Sequence, residues 1–439
     1  MATKDKEFMS EKSELNNVNP HYLERVVDLS ANYDVRVSED IIDTNGMKLL
    51  AKGAKIVPGV QEKLIRHKLK KPLENSVALA DGVTIDKVVE IAKQLLEEVA
   101  PLKALFDSAP SKIFPIDPIS RISLNSSTIT LLTMAYNSEG QRAFKHTVMV
   151  ALISTILGIR SKCSSDEIST VAHAGLLHDV GEMYLAPEYL KSGAHLKPED
   201  WKYVVVHPKV GRLVLQEFTT YPSQVARAVG EHHERLDGSG YPDQITGNKI
   251  SREGAIVAAA EALGGIFMNP NSPLQRATMA MRIVSGEFAA DLVSLISSTA
   301  QSNSFEVQSS NRKPLSELAP KLQKLHDKLL TAMRLCETIA ASPVVKNKVA
   351  HSAQQQVIHR IQVIKRSLAS SGVGSCLLEP HLVLSEVAPE ILLELEVVSR
   401  ELEWRLRDIA RELFSCLYSQ GYEVSGLFSE LINALDILP

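Results

Sequence analysis

Two histidine-bearing segments constrain the fold of this chain more than any other feature. The first, Leu176–Glu182, reads LLHDVGE, and the second, Glu231–Pro242, reads EHHERLDGSGYP. The histidines of both segments end apolar stretches with helical spacing, and two glycines follow the second pair. Imidazoles and carboxylates hold catalytic divalent metals, and glycines let backbone approach a bulky ligand closely. The sequence therefore predicts helices that carry a candidate metal centre beside a candidate substrate wall.

Composition narrows the class of protein. A chain of 439 residues predicts two or three domains, and 44% hydrophobic with 23% charged residues is typical of a soluble globular protein. The formal net charge of −4 gives no reason to expect nucleic-acid binding. The cysteines are scattered without a CxxC pair, which favours reduced structural thiols over a disulfide framework.

The chain shows no pattern for membrane insertion. Its first residues, MATKDKEFMSEK, are charged throughout and have no apolar core like that of a signal peptide. The longest apolar stretch, Val148–Ile159, has about twelve residues, too few to span a bilayer. We therefore expect a cytoplasmic protein.

The pattern of apolar residues predicts a mainly α fold with one small α/β module. We expect a poorly ordered N-terminus at 1–22, an α/β module plus helix at 23–118, a helical domain at 119–300, a polar linker at 301–314 and a helical region at 315–439. In the module, Asn45-Gly46 indicates a turn between two short strands. The C-terminal helices either pack within the chain or form the seam of a homodimer.

Several histidines of the helical domain are candidate ligands. They are His146, His178, His207, His232 and His233, with Asp179 beside His178. A single buried histidine is more often a core residue, but an Asp in an apolar stretch is costly unless a positive partner pairs with it. Neighbouring helical side chains diverge by roughly 100°, so each doublet can address two ions, with Asp179 as the bridge. We expect His173 in the core or behind the ligands, and His195 on the surface.

These residues resemble a known family. The segments HDVG, HPKVG and HHERLDGSGYP, with the intervening APEYLKSGAHLKPEDW, resemble the HD-GYP branch of the HD-domain metal-dependent phosphohydrolases over roughly 140–270. The resemblance implies a helical HD-type bundle that holds two, sometimes three, iron or manganese ions. It also implies hydrolysis of cyclic di-GMP to pGpG or GMP by hydroxide that two metal ions activate.

The resemblance also implies roles for individual residues. The metal ligands would be His146, His178, Asp179, His207, His232, His233 and Glu261, and Asp179 would bridge the ions as the catalytic carboxylate. Glu261 stands where the family has an Asp, and its alternative is a surface position. The substrate would contact Asp237, Gly238, Ser239, Gly240, Tyr241, Pro242 and Arg276. The alternative for this loop is that it only caps a helix through Asp237.

Three departures from the family pattern concern the substrate phosphate and the number of metal ions. The family's lysine in HD-x-GK is Glu182 here, which reverses a charge where positive groups normally stabilise the transition state. Pro270 and Pro273 fall where basic residues would contact phosphate, which leaves Arg276 as the nearby substitute. Arg142 stands where a trinuclear member carries a Glu ligand, which argues against a third ion.

Three functions remain open at this point. The first is a bacterial cyclic di-GMP phosphodiesterase of signal transduction with two divalent ions. The second is a degenerate signalling module that binds metal, and cyclic dinucleotide with it, without turnover. The third is an HD phosphohydrolase of other nucleotides, against which the GSGYP loop argues. Protein partners of the diguanylate cyclase type would bind through the loop or the C-terminal helices.

Overall fold

Helices make up most of the chain, and two small antiparallel sheets lie near its N-terminus. A computed structural model describes residues 17–109, 113–138, 141–191, 196–268, 274–302, 315–342, 348–369 and 389–436. The chain divides into unit 1 (Met1–Ser192, Val206–Glu234 and Gly240–Pro270) and unit 2 (Gly193–Val205, Arg235–Ser239 and Asn271–Pro439). The mainly α fold class that the sequence predicts is confirmed.

Unit 1 begins with the predicted α/β module. Its elements are helix α1 (Pro20–Leu29), strands β1 (Val35–Val37), β2 (Ile41–Ile42) and β3 (Lys48–Leu50), helix α2 (Gln61–Ile65), strand β4 (Val77–Leu79), and helices α3 (Ile85–Glu98), α4 (Ala100–Asp107) and α5 (Ile116–Ser120). Strands β2 and β3 pair around a turn in which Gly46 has a φ of 87°, a left-handed conformation that favours glycine. Strand β1 pairs with β4, which the sequence does not reveal because three residues show too little alternation.

Helix α1 is the main difference from the sequence-based expectation in this module. The sequence pattern predicts no helix here, and the first residues of α1 lie in the stretch 1–22 that we expect to be poorly ordered. Asn19 accepts hydrogen bonds from the backbone N–H groups of His21 and Tyr22, both at 2.9 Å, and Pro20 starts the helix. The capped helix then buries one apolar face, which offsets the entropy cost of ordering it.

The helical domain follows as a bundle. Its helices in unit 1 are α6 (Ser126–Asn137), α7 (Arg142–Arg160), α8 (Ser165–Leu177), α10 (His207–Phe218), α11 (Ser223–Glu231) and α12 (Arg252–Phe267). Helix α9 (Pro198–Val204) lies between α8 and α10 in the chain and belongs to unit 2. Helix α7 is central and packs against α8 and α12. A Cβ atom on Gly175 of α8 would lie 2.8 Å from the Cα of Ala151 on α7, so these helices approach closely only because residue 175 is glycine.

Helix α7 also contains the apolar stretch that the sequence shows. By length and composition it is the one helix of the described ranges that could cross a membrane. In this fold, 78% of its 18-residue apolar window is buried inside the chain. Its apolar residues thus serve as the core of the bundle, where a helix that is apolar on all sides is expected.

Unit 2 is built around the C-terminal helices. They are α13 (Leu274–Arg282), α14 (Ala290–Ser302), α15 (Leu315–Ala341), α16 (Lys348–Ala369), α17 (Pro389–Ser419) and α18 (Leu427–Leu435). Leu322 and Leu329 of α15 are at most 5% exposed and share a core with Leu406 of α17 and Leu431 of α18. This apolar face therefore packs within the chain. Most of the predicted linker at 301–314 lies outside the described residues.

Candidate metal centre

The predicted ligands come from five helices of unit 1. His146 lies on α7, His178 and Asp179 follow α8, His207 starts α10, His232 and His233 follow α11, and Glu261 lies on α12. The residues that the sequence singles out on separate helices are thus neighbours in the fold.

Two of the histidines are oriented by the ends of their own helices. The last carbonyl groups of a helix have no partner within it, and His178 and His232 both occupy the C-cap position. His178 Nδ1 donates a hydrogen bond to the Gly175 carbonyl at 2.9 Å, and His232 Nδ1 donates one to the Val229 carbonyl at 2.6 Å. Both rings therefore keep the proton on Nδ1 and direct the Nε2 lone pair into the cluster, as metal-binding histidines do.

Asp179 lies at the centre of the cluster. Its Oδ2 atom is 2.8 Å from His178 Nε2 and 3.9 Å from His146 Nε2. Its Oδ1 atom is 3.5 Å from His207 Nε2 and 3.7 Å from His232 Nε2. Each carboxylate oxygen thus faces a different pair of imidazoles, which is the arrangement that a bridging ligand requires.

Glu261 adds a second carboxylate on one side of the cluster. Its Oε2 atom lies 2.8 Å from His146 Nε2 and 3.1 Å from His178 Nε2. Its side chain is 17% exposed, so it is not the surface residue of the alternative interpretation. The additional methylene of Glu relative to Asp does not keep the carboxylate away from the histidines.

The potential ligand atoms form two groups that share Asp179. One group contains Asp179, His207, His232 and His233, the other contains His146, His178 and Asp179, and within each group the atoms lie within 4.8 Å of one another. A spacing of this kind suits two ions bridged by a carboxylate, with Glu261 completing the second group.

The carboxylates of the cluster are held in the ionised form. Burial would raise the pKa of Asp179, but the neighbouring His178 and His207 bring it well below its usual range. Burial likewise acts to raise the pKa of Glu261, and His146 and His178 outweigh it and bring it well below its usual range. Both groups are therefore available as anionic ligands at neutral pH.

The histidines differ in their affinity for protons. Burial, with the charges of nearby histidines, lowers the pKa of His232 to about 4, so this imidazole is neutral at pH 7. Burial acts to lower the pKa of His178 as well, but Asp179 and Glu261 raise it well above its usual value. His178 therefore lies where the local field attracts a cation.

The donor set fits a metal ion. Among the described residues, His178 Nε2 is a buried nitrogen without a hydrogen-bond partner of proper geometry, although two carboxylates lie beside it. A neutral nitrogen that faces two carboxylate oxygens is unfavourable, so this position calls for a cation, which is a proton on Nε2 or a metal ion bound to it. Imidazole nitrogens with carboxylate oxygens suit zinc, iron or manganese, and the absence of thiolates disfavours a soft-metal site.

A cavity of about 700 Å³ opens beside the ligands within unit 1. Its lining includes Asp179, His146, His233 and Glu261, together with Arg25, Asp28, Leu29, Asn32, Met134, Asn137, Ser138, Arg142, Ala143, Glu182, Met183, Pro187, Leu190, Lys191, Gly265 and Met268. A volume of this size is within the range of small-molecule sites. The cavity can therefore admit a nucleotide-sized ligand to the cluster.

Glu182 lines this cavity, as its position after the His-Asp doublet predicts. It lies on a 3-10 turn, Val180–Tyr184, that follows Asp179 directly. Burial and the charge of Asp179 raise the pKa of Glu182 to about 7. A carboxyl group thus lies beside the ligands where the family pattern has a lysine.

The glycine-rich loop has two parts. Asp237 Oδ1 accepts hydrogen bonds from Ser239 N and Oγ at 3.0 and 2.7 Å, which forms a local turn in which Gly238 has a φ of 83°. Asp237 therefore stabilises its own loop and caps none of the helices in the described ranges. The segment Arg235–Ser239 clusters with unit 2, and Gly240 returns to unit 1.

The second part of the loop is fixed beside the ligands. The Tyr241 ring stacks on His233, with centroids 4.5 Å apart and an interplanar angle of 22°. Pro242 follows through a cis peptide bond. Buried Glu234 accepts hydrogen bonds from Asp243 N at 2.7 Å and Ile245 N at 3.1 Å. The loop conformation thus depends on the residue next to the histidine doublet.

Other predicted residues lie elsewhere. Arg276 belongs to α13 of unit 2, where Arg400, Glu401 and Glu396 are its charged neighbours, and it is not among the described residues that line the cavity. Pro270, Pro273 and His195 lie outside the described residues. His173 Nδ1 donates to the Ser169 carbonyl at 2.7 Å and is half-buried away from the ligand groups.

The sequence pattern misses one wall of the cavity. Arg25, Asp28, Leu29 and Asn32 come from α1 and the residue stretch after it. The sequence carries two weak signals for this helix, the Asn19-Pro20 start and the apolar spacing of HYLERVVDL. Neither signal indicates that the helix packs at the metal centre, because that contact is tertiary.

The sequence of the helical domain matches a known family. Residues 130–284 match the family model described as HD domain. The 3'3'-cGAMP-specific phosphodiesterase 3 of Vibrio cholerae is 25% identical over 204 residues, which are 45% of this chain and 44% of that protein. The cyclic di-GMP phosphodiesterase response regulator RpfG of Xanthomonas campestris is 30% identical over 135 residues, 30% of this chain and 35% of its own length.

A third relative is the cyclic di-GMP phosphodiesterase of Thermotoga maritima, 26% identical over 165 residues, 36% of this chain and 45% of that protein. The chain thus spans less than half the length of each of these relatives. The helical bundle, the shared-carboxylate cluster and the family match define residues 130–284 as an HD domain. The family match and these relatives support the assignment to the HD-GYP family that the motifs predict.

Proposed function

We propose that the chain is a metal-dependent phosphodiesterase that hydrolyses cyclic di-GMP or a closely related cyclic dinucleotide. The observation that carries the proposal is the pair of ligand groups that share Asp179 beside a cavity of about 700 Å³. The relatives named for cyclic dinucleotide hydrolysis support the substrate class. Iron or manganese as the ions, a cytoplasmic location and a role in bacterial signalling belong to the same proposal.

The residues of the cluster would bind the ions as follows. Asp179 would join both groups, His207, His232 and His233 would complete one, and His146, His178 and Glu261 the other. Two bound divalent ions would supply Lewis-acid chemistry at a phosphodiester. The helix-end carbonyls keep the imidazoles in one tautomer, so the ligands need little reorganisation on binding.

The loop would orient the substrate beside these ligands. Tyr241 is positioned by stacking on His233, and Glu234 holds the backbone that follows. An aromatic ring at this place can contact a nucleobase or ribose, and the neighbouring Gly240 adds no side chain that would obstruct it. Gly238, Ser239 and Asp237 would form the outer part of the same loop.

One observation favours a second candidate, a signalling module that binds metal without turnover. Glu182 places a carboxyl group in the cavity where a phosphodiester would lie. A negative charge at this point opposes the build-up of charge in phosphoryl transfer. The cluster supports the enzyme, and Glu182 supports the module.

The decisive experiment measures metal content and turnover together. We would purify the protein anaerobically, determine its iron and manganese content, and assay hydrolysis of cyclic di-GMP, 3'3'-cGAMP and ordinary nucleotides with added Fe(II) or Mn(II). The enzyme proposal predicts about two ions per chain and cyclic dinucleotide hydrolysis. Asp179→Asn should lose both, whereas Asp86→Asn, an exposed residue of α3, should lose neither.

Other outcomes would decide against the enzyme. Two bound ions without hydrolysis of either cyclic dinucleotide would favour the signalling module. Hydrolysis of ordinary nucleotides alone would favour a general HD phosphohydrolase. A protein that binds no ion under these conditions would contradict the enzyme and the module together.

A further inference from the structure

We infer that Arg25 of helix α1 supplies the positive charge at the substrate phosphate that position 182 lacks. The inference rests on the proposed function, because it assumes a phosphodiester substrate. Arg25 lies before residue 130, where the HD domain match begins, yet it lines the same cavity as Asp179 and Glu261. A residue from outside the matched domain would thus complete the site.

Helix α1 is fixed on the turn that carries Glu182. Asn19 Nδ2 donates a hydrogen bond to the Tyr184 carbonyl at 3.3 Å, and Arg25 Nη1 donates one to the Leu185 carbonyl at 3.0 Å. The rings of Tyr22 and Tyr184 stack, with centroids 5.1 Å apart and an interplanar angle of 9°. The helix is therefore held by residues that follow the metal ligands in the chain, and Arg25 is hydrogen-bonded to the end of that turn.

The charges in the cavity give this arginine a role. The charged side chains of the lining are Arg25, Asp28, Arg142, Asp179, Glu182, Lys191 and Glu261. When metal ions neutralise Asp179 and Glu261, the carboxylates of Glu182 and Asp28 still oppose a substrate with two phosphates. Among charged groups, Glu182 acts most strongly on the Arg25 guanidinium, and both side chains line the cavity. Arg25 offsets the reversed charge where the family's lysine would lie.

The geometry of Arg25 leaves donors for a phosphate. Among the described residues, its guanidinium makes one side-chain hydrogen bond, from Nη1 to the Leu185 carbonyl. An arginine has five N–H donors in a fork that matches phosphate oxygens. The same side chain can therefore anchor α1 and contact a phosphate group in the cavity.

A purely structural role for Arg25 would be the competing explanation. In that case its hydrogen bond to Leu185 matters and its charge toward the substrate does not. Arg25→Gln keeps an N–H donor for the Leu185 carbonyl but removes the charge, whereas Arg25→Lys keeps the charge. Glu182→Lys in the Arg25→Gln background returns a cation to the position where the family has one.

The test uses the full metal-loaded chain and two readouts, its affinity for a hydrolysis-resistant phosphorothioate analogue of cyclic di-GMP and its kcat/KM for cyclic di-GMP itself. We expect Arg25→Gln to weaken both by roughly tenfold to a hundredfold, which is the usual cost of losing a charged hydrogen bond. Arg25→Lys should stay within about threefold of wild type, and Glu182→Lys should restore most of the loss. Arg36→Ala, an exposed arginine of β1 paired with Asp34, should change neither readout.

The outcomes separate this inference from the proposed function. If wild-type protein neither binds nor hydrolyses cyclic di-GMP, the proposed function fails. If wild type does both and Arg25→Gln equals it, only the role of Arg25 is overturned. A loss in Arg25→Lys as large as in Arg25→Gln, or no recovery with Glu182→Lys, would also overturn it. Thermal unfolding of each variant identifies any that fails to fold. If Arg25→Gln does not fold, the comparison of Arg25→Lys with wild type decides whether the charge at position 25 has the inferred role.

Discussion

At the level of single residues, the two sides of the cluster are not equivalent. Asp179 and three histidines form one ligand group without Glu261, whereas the group of His146 and His178 has Glu261 as its second carboxylate. A hard divalent ion gains much of its binding energy from carboxylate charge. The ion on the side of Glu261 should therefore be the one that depends on this residue.

This asymmetry predicts the effect of Glu261→Gln. The variant keeps the size of the side chain but removes its charge, so metal content should fall from about two ions per chain to about one. Glu253→Gln, a half-buried residue in the first turn of the same helix, should keep both ions. Metal analysis after anaerobic purification gives the stoichiometry. Loss of both ions, or of neither, would show that the two groups are not independent in this way.

Gly181 determines how closely α10 approaches the His-Asp doublet. A Cβ atom at this position would overlap the carbonyl oxygen of His207 and lie 2.7 Å from Gly211 N. Both are backbone atoms and cannot rotate away as a side chain can. Gly181→Ala should therefore destabilise the protein by about 3 kcal/mol or more, at the upper end of overpacking costs.

Denaturant unfolding at pH 7 measures this cost. The matched variant is Gly265→Ala on α12, where a Cβ atom would meet nothing within 4 Å and alanine is the better helix former. Its stability should equal or exceed that of wild type. A Gly181→Ala protein as stable as Gly265→Ala would mean that the helix carrying His207 can shift without loss.

Much of the ligand set could be predicted from the sequence because each ligand lies in a local pattern. His178, His232 and their neighbours end helices that periodicity reveals, and the motif spacing selects among the histidines. Arg276 could not be placed, since its location in unit 2 depends on how distant segments pack. Arg25 is missing from the predicted site for the same reason.

At the level of elements, the α/β module and the metal-site turn share a buried carboxyl group. Glu74 lies on the 3-10 turn Leu73–Asn75, is 7% exposed and interacts electrostatically with Tyr22 of α1 and with Tyr184. Burial raises the pKa of Glu74 to about 7. An unfolded glutamate titrates near pH 4.3, so the folded state holds this proton over a wide range.

The raised pKa predicts a loss of stability as pH rises. Below about pH 4.3 Glu74 is protonated in both states and costs nothing, but between that pH and about 7 the unfolded chain releases its proton first. The free energy of unfolding therefore falls as the pH rises through this interval, and it does not recover at higher pH. Glu74→Gln should therefore gain up to about 3 kcal/mol over wild type between pH 4 and pH 8.

Denaturant unfolding of both proteins at several pH values tests the prediction, because the difference between them cancels other titrating groups. Glu97→Gln, an exposed glutamate of α3, should show no such trend. A difference between Glu74→Gln and wild type that does not change with pH would mean that Glu74 ionises in the folded protein as it does in the unfolded one.

Elements were predictable in proportion to their length. The apolar periodicity of the last region predicts long helices over 315–335 and 390–417, and the structure has α15 over Leu315–Ala341 and α17 over Pro389–Ser419. The apolar spacing over 84–105 predicts one helix, but the structure has two helices there, α3 and α4, with extended backbone at Val99. The segment VQEKLIRHKLK predicts a helix over about 60–70, and helix α2 in the structure is a shorter helix of five residues within it. Strand β4 has three residues, so its conformation depends on contacts that a sequence window does not contain.

At the level of the whole molecule, each unit has its own buried polar centre. In unit 1 it is the metal-ligand cluster, and in unit 2 it is Arg405 of α17. Arg405 is 3% exposed and pairs with Glu287 through Nη2 at 2.6 Å and Nε at 3.1 Å, and with Glu401 at 2.9 Å. A buried pair of this geometry stabilises little by itself, but removing one partner leaves a buried charge uncompensated.

Arg405→Met should therefore destabilise unit 2 by roughly 3–5 kcal/mol, because Glu287 is 5% exposed and would keep its charge without its main partner. Arg400→Met on the same helix removes an arginine that is 42% exposed and paired with Glu396, and should cost less than about 1 kcal/mol.

Hydrogen exchange gives the local readout that global unfolding lacks. In Arg405→Met, amides of α13 and α17 should exchange faster, and added Mn(II) should slow exchange in α8, α10 and α11 of unit 1. Unchanged protection of α17 in Arg405→Met would show that Glu287 becomes neutral or hydrated at little cost, and the buried pair would then contribute nothing to the stability of unit 2.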